Sequence, residues 1–489
     1  MVTSRSFVVG LLKKNFFRHG YRKYEFPHSQ GQNPKKLPVS FIEDFYSRTL
    51  LFVKTLNPAI ANGAILDQFR SGNIAIVATE AVLMKPNGQF MAAMTVNLLS
   101  RLCPNLTLVI PESVPSVVDI PLLEQGFFAD ALVKMAYSIN PFAEIALNPI
   151  KSSRYAAILA VSDGPKNIPP TVTINSDGWI SYVDTNGNSL KWVSENSNPV
   201  GAYTSACLGV TEVFKRLLYR LTKKESFSTL PVGNLVFSSL DYGFGNRPFL
   251  NPPLPSCIRL GSLHFISMGA LNSAVLYTLC SLGNVSGDLT FVEPQNAEVS
   301  NLNRYVILSA RDCLEKAKKV TVADQIASAY FQDIEAHDID FRTYRSTRRE
   351  RTMDLAIVGV DNNEGRWEVQ MDLPNLLICG GTERAQVTVS CHDDVSVKAC
   401  AGCVYFDTIQ QGLSTAQPIP TISFVSALCG VLMAAEVLKA KVMELSNHRL
   451  NLLLNIESLR GNVLEVRKPP KSPNCGCNCA TMKVWGVGH

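Results

Sequence analysis

The strand Leu106-Thr107-Leu108-Val109-Ile110-Pro111 returns later in the chain as Leu289-Thr290-Phe291-Val292-Glu293-Pro294. The segments ahead of them also align, Asn97-Leu98-Leu99-Ser100-Arg101-Leu102-Cys103 with Tyr277-Thr278-Leu279-Cys280-Ser281-Leu282-Gly283. Farther on, Glu212-Val213-Phe214-Lys215 is echoed by Glu436-Val437-Leu438-Lys439. Helices and strands that recur in one order are copies of one unit, so two tandem doubly wound α/β domains of Rossmann type are expected. The join is expected near residues 240 to 256, where Pro248, Pro252, Pro253 and Pro255 cluster. This divides the chain into an N-terminal arm and helix (1–60), a first domain (61–245), a second domain (246–470) and a cysteine-rich tail (471–489). With 489 residues, 46% of them apolar and 18% charged, each half can bury a sizeable core.

In the first half, Ile74 to Ala78 is a continuous apolar run of the kind that forms a buried parallel strand. An amphipathic helix is expected over Phe90 to Leu102, after a loop at Pro86-Asn87-Gly88. Asn175-Ser176-Asp177-Gly178 and Thr185-Asn186-Gly187, beside the alternating run Thr171 to Ile174, are hairpin signals without a chemical role.

The second half holds the chemistry. A strand over Leu263 to Ile266 leads through Gly269 into an apolar helix and then into the strand ending at Glu293. That layout suits a nucleotide, with phosphate at the helix N-terminus and the carboxylate on ribose hydroxyls. Asn301-Leu302-Asn303-Arg304 follows, then Lys316, and later Leu355 to Val358 running into Gly359-Val360-Asp361-Asn362. Ligands of parallel sheets bind beyond the carboxyl ends of strands, so Asp361 is expected to share a crevice with Glu293 and Arg304. Two cations and a carboxylate there suit Mg²⁺ and phosphate. The first half has Ile110 in place of Glu293 and no counterpart of Asn301 to Arg304, so it is expected to be a structural partner.

The chain has 13 cysteines and no export signal, which points to reduced thiols in a cytoplasmic setting. Cys400-Ala401-Gly402-Cys403 and the tail Cys475-Gly476-Cys477-Asn478-Cys479 supply two pairs for a structural Zn²⁺. The expected ligands are Cys400, Cys403, Cys475 and Cys477, with Cys479 able to replace one of the last two. A net charge of +5 is too small to argue for nucleic acid, and neither a membrane-length apolar run nor a secretory signal is expected.

Gly269, Glu293, Asn301-x-x-Arg304, Lys316, Asp361 and the cysteine pairs, in that order, resemble the ubiquitin-activating enzyme family. That family includes the bacterial sulfur-carrier adenylyltransferases of thiamine and molybdopterin synthesis. Tyr46-Ser47-Arg48-Thr49-Leu50-Leu51 is similar to the segment that sends an arginine from one adenylation unit into the other's ATP site. The combination resembles single-chain bacterial ubiquitin-activating-like enzymes, including those of antiphage operons, which implies an inactive and an active unit forming a pseudo-dimer.

The resemblance implies ATP- and Mg²⁺-dependent adenylation of the C-terminal glycine carboxylate of a ubiquitin-like protein. The acyl group then passes to a thiol of the enzyme itself or of a conjugating-enzyme partner. Glu293 would hold ribose, Asn301, Arg304 and Lys316 the triphosphate, Asp361 the Mg²⁺, and Arg48 the transferring phosphate. Neither a nucleic-acid nor a membrane partner is implied, and a homodimer stays open.

This sequence departs from the pattern in keeping one loop glycine, and in having Glu293, Gln295 and Tyr305 where aspartate, aspartate and glutamine are usual. Lys316 sits one residue early, which leaves Lys318 as an alternative. The crossover loop from Val404 to Ser423 has no cysteine; Cys429 lies in an apolar helix, and Cys391, beside His392, is expected to be structural. A sulfur-carrier-type enzyme without a thioester, a nicotinamide or flavin oxidoreductase, and an inactive scaffold remain as alternatives.

Overall fold

The computed structural model describes residues 39–489, except 149–154, 166, 189–193, 224–229, 246, 350–351, 406–418, 444–450, 456–463, 468, 474, 476 and 478–489. The first sheet is built from β1 (Ile74–Val77), β2 (Asn105–Val109), β3 (Glu144–Leu147), β4 (Ala157–Val161), β5 (Val172–Asp177), β6 (Ile180–Asp184) and β7 (Asn234–Ser238). The second is built from β8 (Ile258–Ile266), β9 (Val285–Val292), β10 (Asp333–His337), β11 (Leu355–Val358), β12 (Leu376–Glu383), β13 (Gln386–Asp393), β14 (Asn451–Asn455) and β15 (Leu464–Arg467).

The first sheet runs β3-β2-β1-β4-β5-β6-β7 and the second β10-β9-β8-β11-β12-β13-β14-β15. The strands from β3 to β5 pair in parallel, as do those from β10 to β12, and the remainder pair antiparallel. The two sheets therefore have one topology, to which the second adds β15. The mixed α/β class expected from the repeat is the class observed. The strands are buried apolar runs where helices cover both faces; β1 and β11 are buried at every position.

The hairpin expected around Gly178 joins β5 to β6. The helix expected over Phe90 to Leu102 begins earlier, at Pro86, where a missing N–H costs nothing in the first turn. The sequence reading missed the single-turn helix Glu80–Leu83, which has no periodicity to detect at that length.

Helix Pro199–Thr222 of the first half packs against helix Ser423–Lys441 of the second. Phe214 meets Phe424 with ring centres 5.3 Å apart, and Tyr203 meets Tyr277 at 5.4 Å. The Tyr203 hydroxyl donates to Ser281 Oγ at 2.6 Å. Gly430 lets helix Ser423–Lys441 lie on helix Ala270–Cys280, because a Cβ there would stand 2.5 Å from Ala274 Cβ.

Contrary to expectation, helix Ser423–Lys441 is long and apolar enough to cross a membrane by length and composition. Of that window, 94% is buried inside the protein, so its apolarity serves the core. It carries the buried ion pair Glu436–Lys439, and helix Pro199–Thr222 carries the equivalent pair Glu212–Lys215 at 2.5 Å.

Candidate functional site

Strand β8 lies between β9 and β11, so the chain leaves it at a switch point where the connections diverge to either side. The loops after β8 and β11 meet there. A Cβ on Gly269 would be 3.2 Å from the Gly359 carbonyl, so the close approach favours glycine at this position. Asn272 fastens the same junction, its Nδ2 donating to the Ser267 carbonyl at 2.6 Å and to Ile357 at 3.1 Å.

Glu293 is buried at the end of β9, and its carboxylate holds backbone. Oε2 accepts the Met268 amide at 2.9 Å and the Ser267 hydroxyl at 3.0 Å, while Oε1 accepts the Gln295 amide at 2.9 Å. Ser267 has a φ of 68°, a strained left-handed conformation that these bonds help to hold.

Asn301 sits in a capping box, its Oδ1 accepting the Glu298 amide at 3.0 Å. Arg304 donates to the Ser300 carbonyl at 2.7 Å and lies over the Tyr305 ring, 5.3 Å from its centre. Arg48, from helix Val39–Leu56, donates to the Ile419 carbonyl at 3.0 Å. Burial, and then the like charge of Arg304, lowers its guanidinium to about 10, against the opposing pull of Tyr305, Asp361 and Glu298. Burial likewise lowers Arg304, which feels Asp361 as well. The fold thus brings Arg48, Arg304 and Asp361 within electrostatic reach of one another.

Lys316 is exposed on a left-handed turn with φ of 50°, and Lys318 pairs with Asp338 at 3.1 Å. Lys319, which sequence reasoning missed, is the buried lysine. Its ammonium donates to Gln295 Oε1 at 2.7 Å and stands 5.2 Å from the centre of the Tyr305 ring. A bridge between Asn296 and Lys318 and the Lys319 amide bonded to the Gln295 carbonyl at 3.1 Å lock this register. In the sequence Lys316, Lys318 and Lys319 lie too close together for periodicity to separate them; burial does. Arg304 and Lys319 share the Tyr305 ring and Arg48 repels Arg304, an accumulation of positive charge that an anion would relieve.

Asp361 is exposed, with Asn362 Nδ2 3.2 Å from it. Asn362 caps helix Asn363–Met371, and Arg366 ties the Val360 carbonyl to that of Gly380 at 2.8 and 2.9 Å.

Cys400 Sγ lies 3.8 Å from Cys403 Sγ and 3.9 Å from Cys475 Sγ. A tetrahedral Zn²⁺ with four thiolates at about 2.3 Å has sulfur–sulfur edges of about 3.8 Å, so this spacing fits. Cys477 is buried against Cys400 and is the first cause of that thiol's strong upward shift. Gly402 makes room for it, since a Cβ would stand 2.7 Å from Cys477 Sγ. Cys479 lies outside the described residues.

Cys391 and Cys429 are not activated thiols. Burial drives Cys391 well up, with Glu436 beside it, and pushes Cys429 to about 12. His392 faces away, bonded to Ser390 Oγ at 2.9 Å and to the Ala399 carbonyl at 3.1 Å.

Residues 263–477 match the model of the ThiF family. The C-terminal half carries a ThiF-family domain. The ThiF domain spans the crevice and all four described cysteines of the cluster. Over 363 residues the chain is 25% identical to "Uncharacterized protein y4jF" of Sinorhizobium fredii, covering 71% of this chain and 64% of that protein. The chain thus spans somewhat under two thirds of the length of that curated relative. Among solved structures, E. coli MccB with succinimide is 14% identical, covering 44% of this chain and 66% of that one, with a TM-score of 0.37. MccB with ATP gives 14%, 44%, 66% and 0.36.

Proposed function

We propose that the chain is an ATP-dependent adenylating enzyme that activates the C-terminal carboxylate of a ubiquitin-like protein. The observation that carries this is the pair Arg304 and Lys319 over the Tyr305 ring, with Arg48 in electrostatic reach of Arg304, in a ThiF domain. In this reading a carboxylate oxygen of the terminal glycine attacks the α-phosphorus of ATP. The new P–O bond forms as the α–β bridge breaks, and the electron pair leaves with pyrophosphate. No proton has to move, so what the protein supplies is positioning and charge.

Arg304 and Lys319 hold the triphosphate, and Arg48 neutralises charge on the group in transfer. The N-terminus of helix Ala270–Cys280 lies beside Tyr305, whose hydroxyl would stand 3.9 Å from a Cβ on the capping Gly269. Asp361 would hold Mg²⁺, which bridges phosphate oxygens when bound. Glu293 positions the loop through Met268 and Gln295 and can still offer a lone pair to ribose. The four cysteines would hold a structural Zn²⁺. In this reading the two halves pair as a pseudo-dimer, with the first half contributing support. Because Cys391 and Cys429 are buried and protonated, direct handover of the adenylate to a partner's thiol is favoured over an enzyme-bound thioester.

The test is pyrophosphate exchange into ATP with a panel of purified ubiquitin-like proteins ending in glycine. Exchange that requires one of them, and that is lost in Arg304→Ala and Asp361→Ala with unchanged unfolding curves, supports the reading. Exchange persisting in both variants sinks the site assignment, and failure of the wild-type chain to bind Mg·ATP sinks the function.

A further inference from the structure

Arg101 is fully buried at the end of helix Pro86–Ser100, in the first half of the chain. Its three donor groups each meet an oxygen. Nε donates to Asn97 Oδ1 at 2.9 Å, Nη1 to the Leu302 carbonyl at 2.6 Å and Nη2 to the Leu308 carbonyl at 3.1 Å. Asn97 Nδ2 reaches the Val306 carbonyl at 3.0 Å. Those three carbonyls belong to the second half and frame the segment that carries Arg304 and Tyr305.

A guanidinium buried in this way is costly unless its donors are satisfied. The titratable groups beside it are Cys313 and Tyr277, a thiol and a phenol that burial keeps protonated and neutral, and burial lowers the guanidinium to about 9. What offsets the cost is the rigid fork of donors, which fits three oxygens fixed in space. Among the described residues, the equivalent positions of the second half hold no loop of the first half in this way. In the repeat alignment Ser281 stands for Arg101 and Tyr277 for Asn97, and Ser281 bonds the Tyr203 hydroxyl and the Tyr277 carbonyl. The two halves share a topology but not this contact. It runs from the half without a crevice carboxylate to the half with one.

We infer that Arg101 and Asn97 form a clamp that holds residues 302–308, and through them the Arg304 guanidinium and the Tyr305 ring, in the arrangement that receives the nucleotide. The clamp makes the first half a working component of the second half's site, with Arg101 a positioning residue that does not touch substrate. The nucleotide part of this inference rests on the function proposed above.

Hydrogen exchange and Mg·ATP binding on the full chain test the two parts separately. Arg101→Lys keeps the charge but cannot span three acceptors. Asn97→Asp is the milder variant, keeping the acceptor for Arg101 while removing the donor to Val306. In each, amides of 302–308 are expected to exchange about tenfold faster, with β8 and β11 unchanged. Affinity for Mg·ATP falls about tenfold, and in an Arg304→Ala background the same substitution adds less than about twofold, because both act through one group.

Unchanged exchange at 302–308 in the better-folded variant overturns the clamp. So does exchange that rises evenly through the chain, or a loss of affinity that adds in full to that of Arg304→Ala. A wild-type chain that does not bind Mg·ATP overturns the nucleotide reading, while the exchange pattern still decides whether Arg101 holds the loop.

Discussion

Lys319 donates to Gln295 across 2.7 Å, and this bond sets its ammonium beside the ring that Arg304 also covers. Lys316, three residues earlier, is exposed on a left-handed turn. If this positive cluster receives a triphosphate, Lys319→Met lowers exchange activity by about a hundredfold, the scale for removing one preorganised donor. Lys316→Ala stays within about twofold of the wild type, since a solvated charge contributes little. Equal losses in the two variants, measured side by side, would remove Lys319 from the site.

Glu293 binds two backbone amides and a hydroxyl with one buried carboxylate. Replacing it with alanine leaves the Met268 amide without its partner and frees the strained Ser267 turn. The expected cost is about 1–3 kcal/mol in urea unfolding. Glu293→Gln keeps the size but turns one acceptor into a donor facing an amide, and falls between. An alanine variant as stable as wild type would mean that the loop holds itself.

The cysteine cluster predicts bound Zn²⁺ and a specific failure. Chelation is expected to lower the melting temperature and to expose Cys400, Cys403, Cys475 and Cys477 to thiol reagents. Gly402→Ala is expected to lower zinc content without chelator, because the new methyl presses on Cys477. Metal analysis of the purified chain is the measurement, and full zinc occupancy in Gly402→Ala contradicts the crowding argument.

The buried thiols set a pH dependence. Cys103, Cys379 and Cys429 are each pushed up from 9.0 to about 12 by burial. A folded-state value above the unfolded one stabilises the protein while the thiol stays protonated. That contribution is complete below about pH 9 and shrinks as pH rises toward 12. Denaturation midpoints should therefore fall as pH rises from about 9 toward 11, and a flat profile there would speak against these burials. At pH 8 the thiolate fraction of Cys429 is about one in ten thousand, so iodoacetamide should label exposed Cys257 first. A reductant-labile adduct on Cys391 or Cys429 after reaction with carrier and ATP would falsify direct handover.

Much of this was legible in the chain. The repeat of Leu106–Pro111 in Leu289–Pro294 pointed to two α/β units, and the two sheets share one strand order. Glu436 and Lys439 could be matched to Glu212 and Lys215 by eye, because helical spacing keeps i and i+3 together. Their burial as ion pairs could not, because it depends on one helix covering the other.

Local order along the chain determined the strands, the glycine turn, the paired cysteines and the positions of Arg48, Arg304 and Asp361, because period, turn chemistry and spacing are properties of neighbours. Only the tertiary structure buried Lys319 and left Lys316 exposed, turned Glu293 toward the backbone and joined Arg101 to Leu302 and Leu308. Those outcomes depend on which atoms are shut away from water and which distant carbonyls come within reach, and a linear pattern records neither.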